Sequence, residues 1–284
     1  MQVLKTKAEM SALADSWRAR NLAIGLVPTM GFLHEGHLSL IRLARQRADK
    51  VVVSIFVNPT QFAPGEDFEA YPRDEARDLA RCEAEGADAA FLPTPAEMYA
   101  PDATVSLTES RLSKTMCGVS RPTHFQGVLT VVNKLFNITR ATTAVFGMKD
   151  AQQLAVIRRM VRDLDMPVAL VPGPIVRESD GLAMSSRNTY LSADERRHAL
   201  CLRRALDLAD AAWQRGDTAT DAVLAAMREH IAATPGAVID YIVAVDADSL
   251  EPVETLRDNT LVALAVKIGR TRLIDNTLLR APTP

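Results

Sequence analysis

The sequence predicts an α/β protein in which a parallel sheet covered by helices is followed by a smaller α+β unit. Three observations carry this. Short apolar runs alternate with helical patterns through the first part of the chain. Those runs are apolar on both faces, as strands buried between two helix layers are. Beyond residue 176 the alternation stops, and helical patterns precede strand patterns.

The strand candidates are 22–27, 51–57, 87–92, 143–146 and 168–171, each closing near Pro, Gly or Asn. Helical patterns lie between them at 36–49, 73–85 and 151–164. The last carries Leu154, Val156, Ile157, Met160, Val161 and Leu164 at helical spacing. In the second unit, Ser192 and Glu195 form a capping box at the start of a helix over 192–215. A second helix over 217–234 stops at Pro235-Gly236. Strands follow at 238–245, 260–266 and 271–274. Pro172-Gly173-Pro174 marks the boundary, which gives units of 1–176 and 177–284. Ligands of such sheets bind beyond the carboxyl ends of the strands, where the strand order reverses.

A chain of 284 residues, 48% hydrophobic and 24% charged, has the size and balance of a globular protein with a large core. Aromatics are only 5%, so base-stacking platforms for nucleic acid are absent. A net charge of −2 from 33 basic and 35 acidic residues points to neither a polyanionic partner nor an acidic membrane. Cys82, Cys117 and Cys201 are odd in number and form no C-x-x-C, which argues against a disulfide framework or a structural zinc. A reducing cytoplasm fits them. The N-terminus has no signal-peptide pattern, and no apolar run approaches the about 20 residues that span a bilayer.

The chemistry gathers at strand ends. Pro28-Thr29-Met30-Gly31-Phe32-Leu33-His34-Glu35-Gly36-His37 follows the first strand candidate and opens the first helix. A helix N-terminus, with free N–H groups and the positive end of its dipole, suits phosphate. Gly31 permits a close turn, and Gly36 permits close approach of a ligand. His34 and His37 share one helix face, where their N–H donors can grip a phosphate as charge builds. A zinc site on the two histidines lacks a third ligand.

At the end of the second strand candidate, Asn58 and Gln61 offer neutral amides to a substrate bearing hydroxyls and a carboxylate. Asn58-Pro59 also serves as plain turn chemistry. Gly147-Met148-Lys149-Asp150 follows the fourth. There Lys149 neutralises phosphate oxygens, Asp150 caps the helix or meets Mg²⁺, and Gln153 lies one turn on. Near the junction of the units, Met184-Ser185-Ser186-Arg187 brings hydroxyls and a guanidinium that can close over a triphosphate. The segment 120–125 reads as a loop, with His124 a structural histidine.

In this order and spacing the motifs resemble the pantoate–β-alanine ligases, the pantothenate synthetase family. The resemblance runs from Val27 to Asn276 and includes Phe56-Val57-Asn58-Pro59-Thr60-Gln61-Phe62, Tyr71-Pro72-Arg73 and Thr271-Arg272-Leu273-Ile274-Asp275-Asn276. It implies a Rossmann-type nucleotidyltransferase domain over 1–176 and a lid domain over 177–284. It implies that ATP and pantoate give pantoyl adenylate and pyrophosphate, and that β-alanine then releases AMP. It places Met30, Gly31, Phe32, Leu33, His34, Glu35, Gly36, His37, Gly147, Met148, Lys149, Asp150, Val176, Met184, Ser185, Ser186 and Arg187 at ATP. His34, His37, Lys149 and Arg187 serve the chemistry, and Gln61, Gln153 and Asn58 hold pantoate and β-alanine. Mg²⁺ accompanies the phosphates, by ligands the resemblance does not name, and a homodimer is implied. Met148 and Ala151 depart from the family's usual polar and aromatic residues at those positions.

Other readings are an enzyme that stops at a nucleotidylated product, a tRNA synthetase, or a nucleotide-sensing module. The paired amides and the second unit favour ligation. No basic anticodon-binding region supports the synthetase. Binding alone does not need so many charge stabilisers.

Overall fold

The computed structural model describes residues 1–281. The first unit runs β1 (Gln2–Leu4), α1 (Lys7–Arg18), β2 (Ile24–Thr29), α2 (Glu35–Arg45), β3 (Lys50–Ile55), α3 (Glu75–Ala84), β4 (Ala89–Phe91), α4 (Pro95–Met98), α5 (Cys117–Ser120), α6 (His124–Thr139), β5 (Thr143–Gly147), α7 (Ala151–Asp163) and β6 (Ala169–Gly173). The strands form one parallel sheet in the order β1-β4-β3-β2-β5-β6.

Alternation of side chains along each strand sorts the apolar runs onto two faces. Leu26 and Val52 point into a core with α1, α6 and α7, through Met10, Leu129 and Ile157. Val27, Val51, Val53 and Val145 point the other way, onto Leu40 and Ile41 of α2 and Cys82 of α3. Both faces are covered, so the strands need no polar side. The chain leaves β2 toward β3 and β4, then returns to place β5 on the other flank of β2. The strand order reverses between β2 and β5, and a crevice opens beyond their carboxyl ends.

The five strand candidates correspond to β2–β6 with small shifts at their ends. Five elements of the first unit, β1, α1, α4, α5 and α6, lie in segments that the sequence patterns assigned to no helix or strand. β1 is too short to show a period. α6 is rich in Val, Thr and Ile, which favour strands, and carries Gly127. Tertiary packing decides its conformation. A Cβ on Gly127 would lie 2.4 Å from the Thr60 carbonyl oxygen, so glycine lets α6 meet the 3-10 turn Pro59–Gln61. The expected loop over 120–125 is thereby corrected, because His124 is the first residue of α6.

The second unit holds α8 (Ala193–His198), α9 (Cys201–Gln214), α10 (Thr220–Ala232), β7 (Ala237–Asp246), β8 (Thr260–Ile268) and β9 (Thr271–Leu279). The expected helix over 192–215 is two helices, and the Ser192–Glu195 capping box is present at its start. The strands form an antiparallel sheet in the order β7-β8-β9. One face packs on α9 and α10 through Leu206, Met227 and Leu264. The other contributes Val245, Leu261 and Ala263 to the core of the first unit. β9 runs beyond residue 274 because Asp275 and Asn276 are buried polar residues at that junction, 2% and 3% exposed. Asp275 takes both nitrogens of Arg177 at 2.7 and 3.0 Å.

Candidate active site

A cavity of about 620 Å³ opens beyond the carboxyl ends of β2, β3, β5 and β6. Met30, His37, Gln61, Lys149 and Gln153 line it, and Met184 and Asn276 close it from the second unit.

The chain leaves β2 through Gly31 at φ 81° and Phe32 at φ 49°, a left-handed turn that aims the next residues back over the sheet. Asp78 of α3, only 1% exposed, fixes that turn. Its carboxylate accepts the Phe32 N–H at 2.6 Å and the Leu33 N–H at 2.7 Å. Arg77 donates to the Leu33 carbonyl at 3.0 Å, and Arg81 donates to it as well. Burial pushes the Asp78 carboxyl above its usual range, and the two N–H groups work against that.

This corrects one expectation. The N–H groups of Phe32 and Leu33 are spent on Asp78, and that of Gly31 on Thr29 Oγ1 at 3.2 Å. The segment 30–37 therefore does not line the cavity continuously. Met30, His34, Gly36 and His37 do. Gly31 and Leu33 are buried behind the wall, and Phe32 faces a second, smaller cavity. Glu35 is exposed and ion-paired to Arg42.

His34 and His37 are coupled through the backbone. His37 Nδ1 accepts the His34 N–H at 3.3 Å, and the ring centroids lie 4.1 Å apart at 36°. With Nδ1 accepting, a neutral His37 ring carries its proton on Nε2. Burial pushes the His34 imidazole down to about 4, helped by the Lys149 cation. Burial, then His34 and Lys149, hold His37 well below the usual imidazole range. Both rings are neutral near pH 7 and act as N–H donors rather than cations. A Cβ on Gly36 would lie 2.9 Å from His34 Cε1, so this glycine makes room for the His34 ring.

Asn58 and Gln61 meet different fates. Asn58 is 1% exposed, and its Oδ1 accepts from Tyr99 Oη at 2.7 Å and Thr60 Oγ1 at 3.0 Å. Its Nδ2 donates to Gln61 Oε1 and the Gly127 carbonyl, both at 3.2 Å. Asn58 lines the cavity, but its amide is hydrogen-bonded within the protein and positions Gln61. Gln61 keeps Nε2 at 3.0 Å from Met30 Sδ on the cavity wall. His124 Nδ1 lies 2.9 Å from the Gln61 carbonyl oxygen, and burial followed by Arg121 brings its pKa down to about 4.

On the β5 side, Gly147, Lys149, Asp150 and Gln153 line the cavity. Met148 does not: its side chain packs on the core while its carbonyl accepts Asn276 Nδ2 at 3.0 Å. The Lys149 carbonyl takes the same amide at 3.0 Å, so β9 anchors this loop. Gln152 is buried and holds 112–117 through Cys117 N–H, Leu112 O and Thr115 O. Gln153, its neighbour, faces the cavity with no hydrogen bond to another described residue.

The 176–187 segment closes the site. The Val176 carbonyl accepts the Met184 N–H at 3.0 Å. Ser185 Oγ caps the Arg187 N–H, and Ser186 Oγ donates to the Phe32 carbonyl at 3.3 Å. Arg187 is not loose in the cavity. Asp67 grips its Nε and Nη2 at 2.8 and 2.9 Å, and the Tyr71 ring lies 5.5 Å from its guanidinium carbon.

Asp78 and Asp67 were not singled out from the sequence. Neither belongs to a motif, and only the fold brings each to its partner. Among the described residues, no group of three or more His, Cys, Asp or Glu is placed to hold a metal ion. Glu66 and Asp67 are committed to Arg121 and Arg187. Asp150, 3.8 Å from Lys149 Nζ, is the freer carboxylate of the cavity wall. One such carboxylate suits a cation carried in by phosphates, not a resident one.

A family model described as pantoate-beta-alanine ligase matches residues 2–278. The chain belongs to the pantoate–β-alanine ligase family. A pantothenate synthetase of Thermotoga petrophila is 51% identical over 279 residues, which is 98% of this chain and 100% of that protein. The crystal structure of pantothenate synthetase from Thermus thermophilus superimposes with a TM-score of 0.94 at 42% identity, covering 99% of this chain and 100% of that one. A pantoate-β-alanine ligase from Francisella tularensis, crystallised with β-γ ATP and β-alanine, gives 0.82 at 31% identity, covering 98% and 97%. Among the described residues, no helix is long and apolar enough to cross a membrane.

Proposed function

We propose that this ligase-family chain condenses pantoate with β-alanine at the expense of ATP, giving pantothenate, AMP and pyrophosphate. The observation that carries this reading is one cavity in which two neutral imidazoles, a lysine and two glutamine amides converge beyond β2, β3 and β5.

The chemistry follows from the donors. Gln61 and Gln153 hold pantoate by its hydroxyls and carboxylate. A pantoate carboxylate oxygen attacks the α-phosphorus, and the bond to the β-phosphate oxygen breaks. Neutral N–H donors on His34 and His37, with the Lys149 cation, face the charge that develops there. The β-alanine amine then attacks the acyl carbon of pantoyl adenylate. AMP departs with the electron pair, and the amine proton is lost to solvent. Asp150 would hold a Mg²⁺ carried by the triphosphate, which would supply charge neutralisation.

Residues 1–176 form the ATP and pantoate domain in this reading, and 177–284 a lid that closes through Met184–Arg187. A cytoplasmic homodimer completes it, and sedimentation at micromolar concentration checks the dimer. The enzyme is assayed with each substrate omitted. AMP release requires pantoate and β-alanine together, while pyrophosphate release requires pantoate alone. Equal AMP release without pantoate overturns the ligase reading. Turnover of the adenylate without β-alanine favours an enzyme that stops at nucleotidyl transfer.

A further inference from the structure

The smaller cavity, about 340 Å³, lies behind His34. Its lining shares His34, Met184, Ser185, Ser186 and Asn188 with the large cavity and adds Phe32, Arg77, Glu178, Thr189 and Arg196. Neither glutamine of the large cavity reaches it.

Its polar atoms are unusually idle. Buried and unpartnered are Arg77 Nε, Arg196 Nη1, Asn188 Oδ1 and His34 Nδ1. The rest of each side chain is committed. Arg77 Nη2 donates to the Leu33 carbonyl, and its guanidinium carbon lies 4.4 Å from the Phe32 ring centre. Arg196 Nη2 bridges Glu178 at 2.8 Å and Asp180 at 2.9 Å. Asn188 Nδ2 donates to Glu178 Oε1 at 2.7 Å. Each group is thus held still with one polar atom left over. A buried polar atom without a partner is costly, so four around one cavity mark a place for a ligand. Two guanidinia line the wall, with Glu178 beside them and Asp180 paired to Arg196 from outside the lining.

We infer that this cavity receives the pyrophosphate end of ATP and is the route by which pyrophosphate leaves. The inference rests on the adenylation proposed above. In-line displacement at phosphorus sets the leaving group opposite the nucleophile. Pantoate sits on the glutamine side of His34, so pyrophosphate departs toward the shared wall of Ser185 and Ser186. Arg77 Nε and Arg196 Nη1 then meet its anionic oxygens, and Asn188 Oδ1 accepts the P–OH of the monoprotonated ion. A separate exit lets pyrophosphate leave while the adenylate stays enclosed for β-alanine.

The test measures pyrophosphate affinity by calorimetry in the full-length parent, Arg196→Gln and Arg77→Gln, with AMP as the comparison ligand. Arg196 does not touch the Leu33 turn, so its variant stands even if Arg77→Gln disturbs that turn. Each variant weakens pyrophosphate by about tenfold or more, the scale of one lost charge-assisted hydrogen bond, and leaves AMP within twofold. Unchanged pyrophosphate affinity in both variants, or equal weakening of AMP, overturns the inference. Pantoate-dependent exchange of pyrophosphate into ATP by the parent tests the adenylation reading separately.

Discussion

His37 accepts the backbone N–H of His34 on its own Nδ1 at 3.3 Å, which ties the tautomer of one histidine to the backbone of the other. His37 is therefore expected to keep its proton on Nε2 from pH 8 down to pH 6. Long-range proton–nitrogen NMR of the imidazoles reads this directly, and a His37 ring protonated at pH 6 would contradict it. The same burial makes a stability prediction. His34 and His124 fall to about 4 in the folded chain, against an ordinary 6.5. As pH falls below 6.5 the unfolded chain takes up protons that the folded chain refuses. Stability present above that value is lost toward pH 4, so Tm at pH 5 lies below Tm at pH 7 at constant ionic strength.

Gly36→Ala separates helix stability from chemistry. Alanine has the better helix propensity by roughly 1 kcal/mol in a helix interior. Its Cβ, however, lands 2.9 Å from His34 Cε1 and 3.0 Å from Nδ1, so the ring must move. The variant is expected to keep its Tm within a few degrees and to lose about tenfold or more in pantoate-dependent pyrophosphate exchange, since a displaced donor no longer faces the developing charge. Parent-level exchange would remove His34 from the reaction.

Asp78→Asn tests the turn that delivers the histidines. Asparagine keeps the shape but puts an NH₂ where one of two N–H groups needs an acceptor. One buried donor is left unpaired, at a cost of about 1–3 kcal/mol. Lower stability in urea should come with slower adenylation, although Asp78 does not line the cavity. An activity loss that disappears when stabilising osmolyte restores the fold would mean that Asp78 serves stability alone.

Asp78 also shows where legibility ends. β2–β5 announce themselves because a strand buried on both faces must be apolar along its length. The place of His34 and His37 on the cavity wall was legible because glycines and histidines were compressed into one short segment after a strand. What periodicity cannot supply is which face each residue of a tight turn presents. Gly31 and Phe32 reverse the chain, so Leu33 and Glu35 point away from the cavity that their neighbours line. Asn58 shows a related limit. Its residue type and place suited a substrate, yet Tyr99, from a distant segment, helps consume the amide. Such claims on a polar group come from tertiary contacts with no local signal.

Arg187 gives the last prediction, because its guanidinium joins two segments far apart in sequence. Asp67 holds Nε and Nη2 in a two-pronged pair, and Tyr71 stacks beneath, so 62–73 and 184–188 are fastened together over the cavity. In the proposed reading Nη1 faces the triphosphate. Lysine preserves the charge but cannot make two parallel bonds or stack as a plane. Arg187→Lys should raise the KM for ATP and increase proteolysis within 62–73, whereas Asp67→Asn should reproduce the proteolysis and leave more of the affinity for ATP. If Arg187 acted on phosphate without fastening the loops, Asp67→Asn would leave the proteolysis pattern of the parent unchanged. If it only fastened the loops, the two variants would weaken ATP by the same factor. The pair of measurements therefore assigns the closing and the phosphate-binding contributions of one side chain.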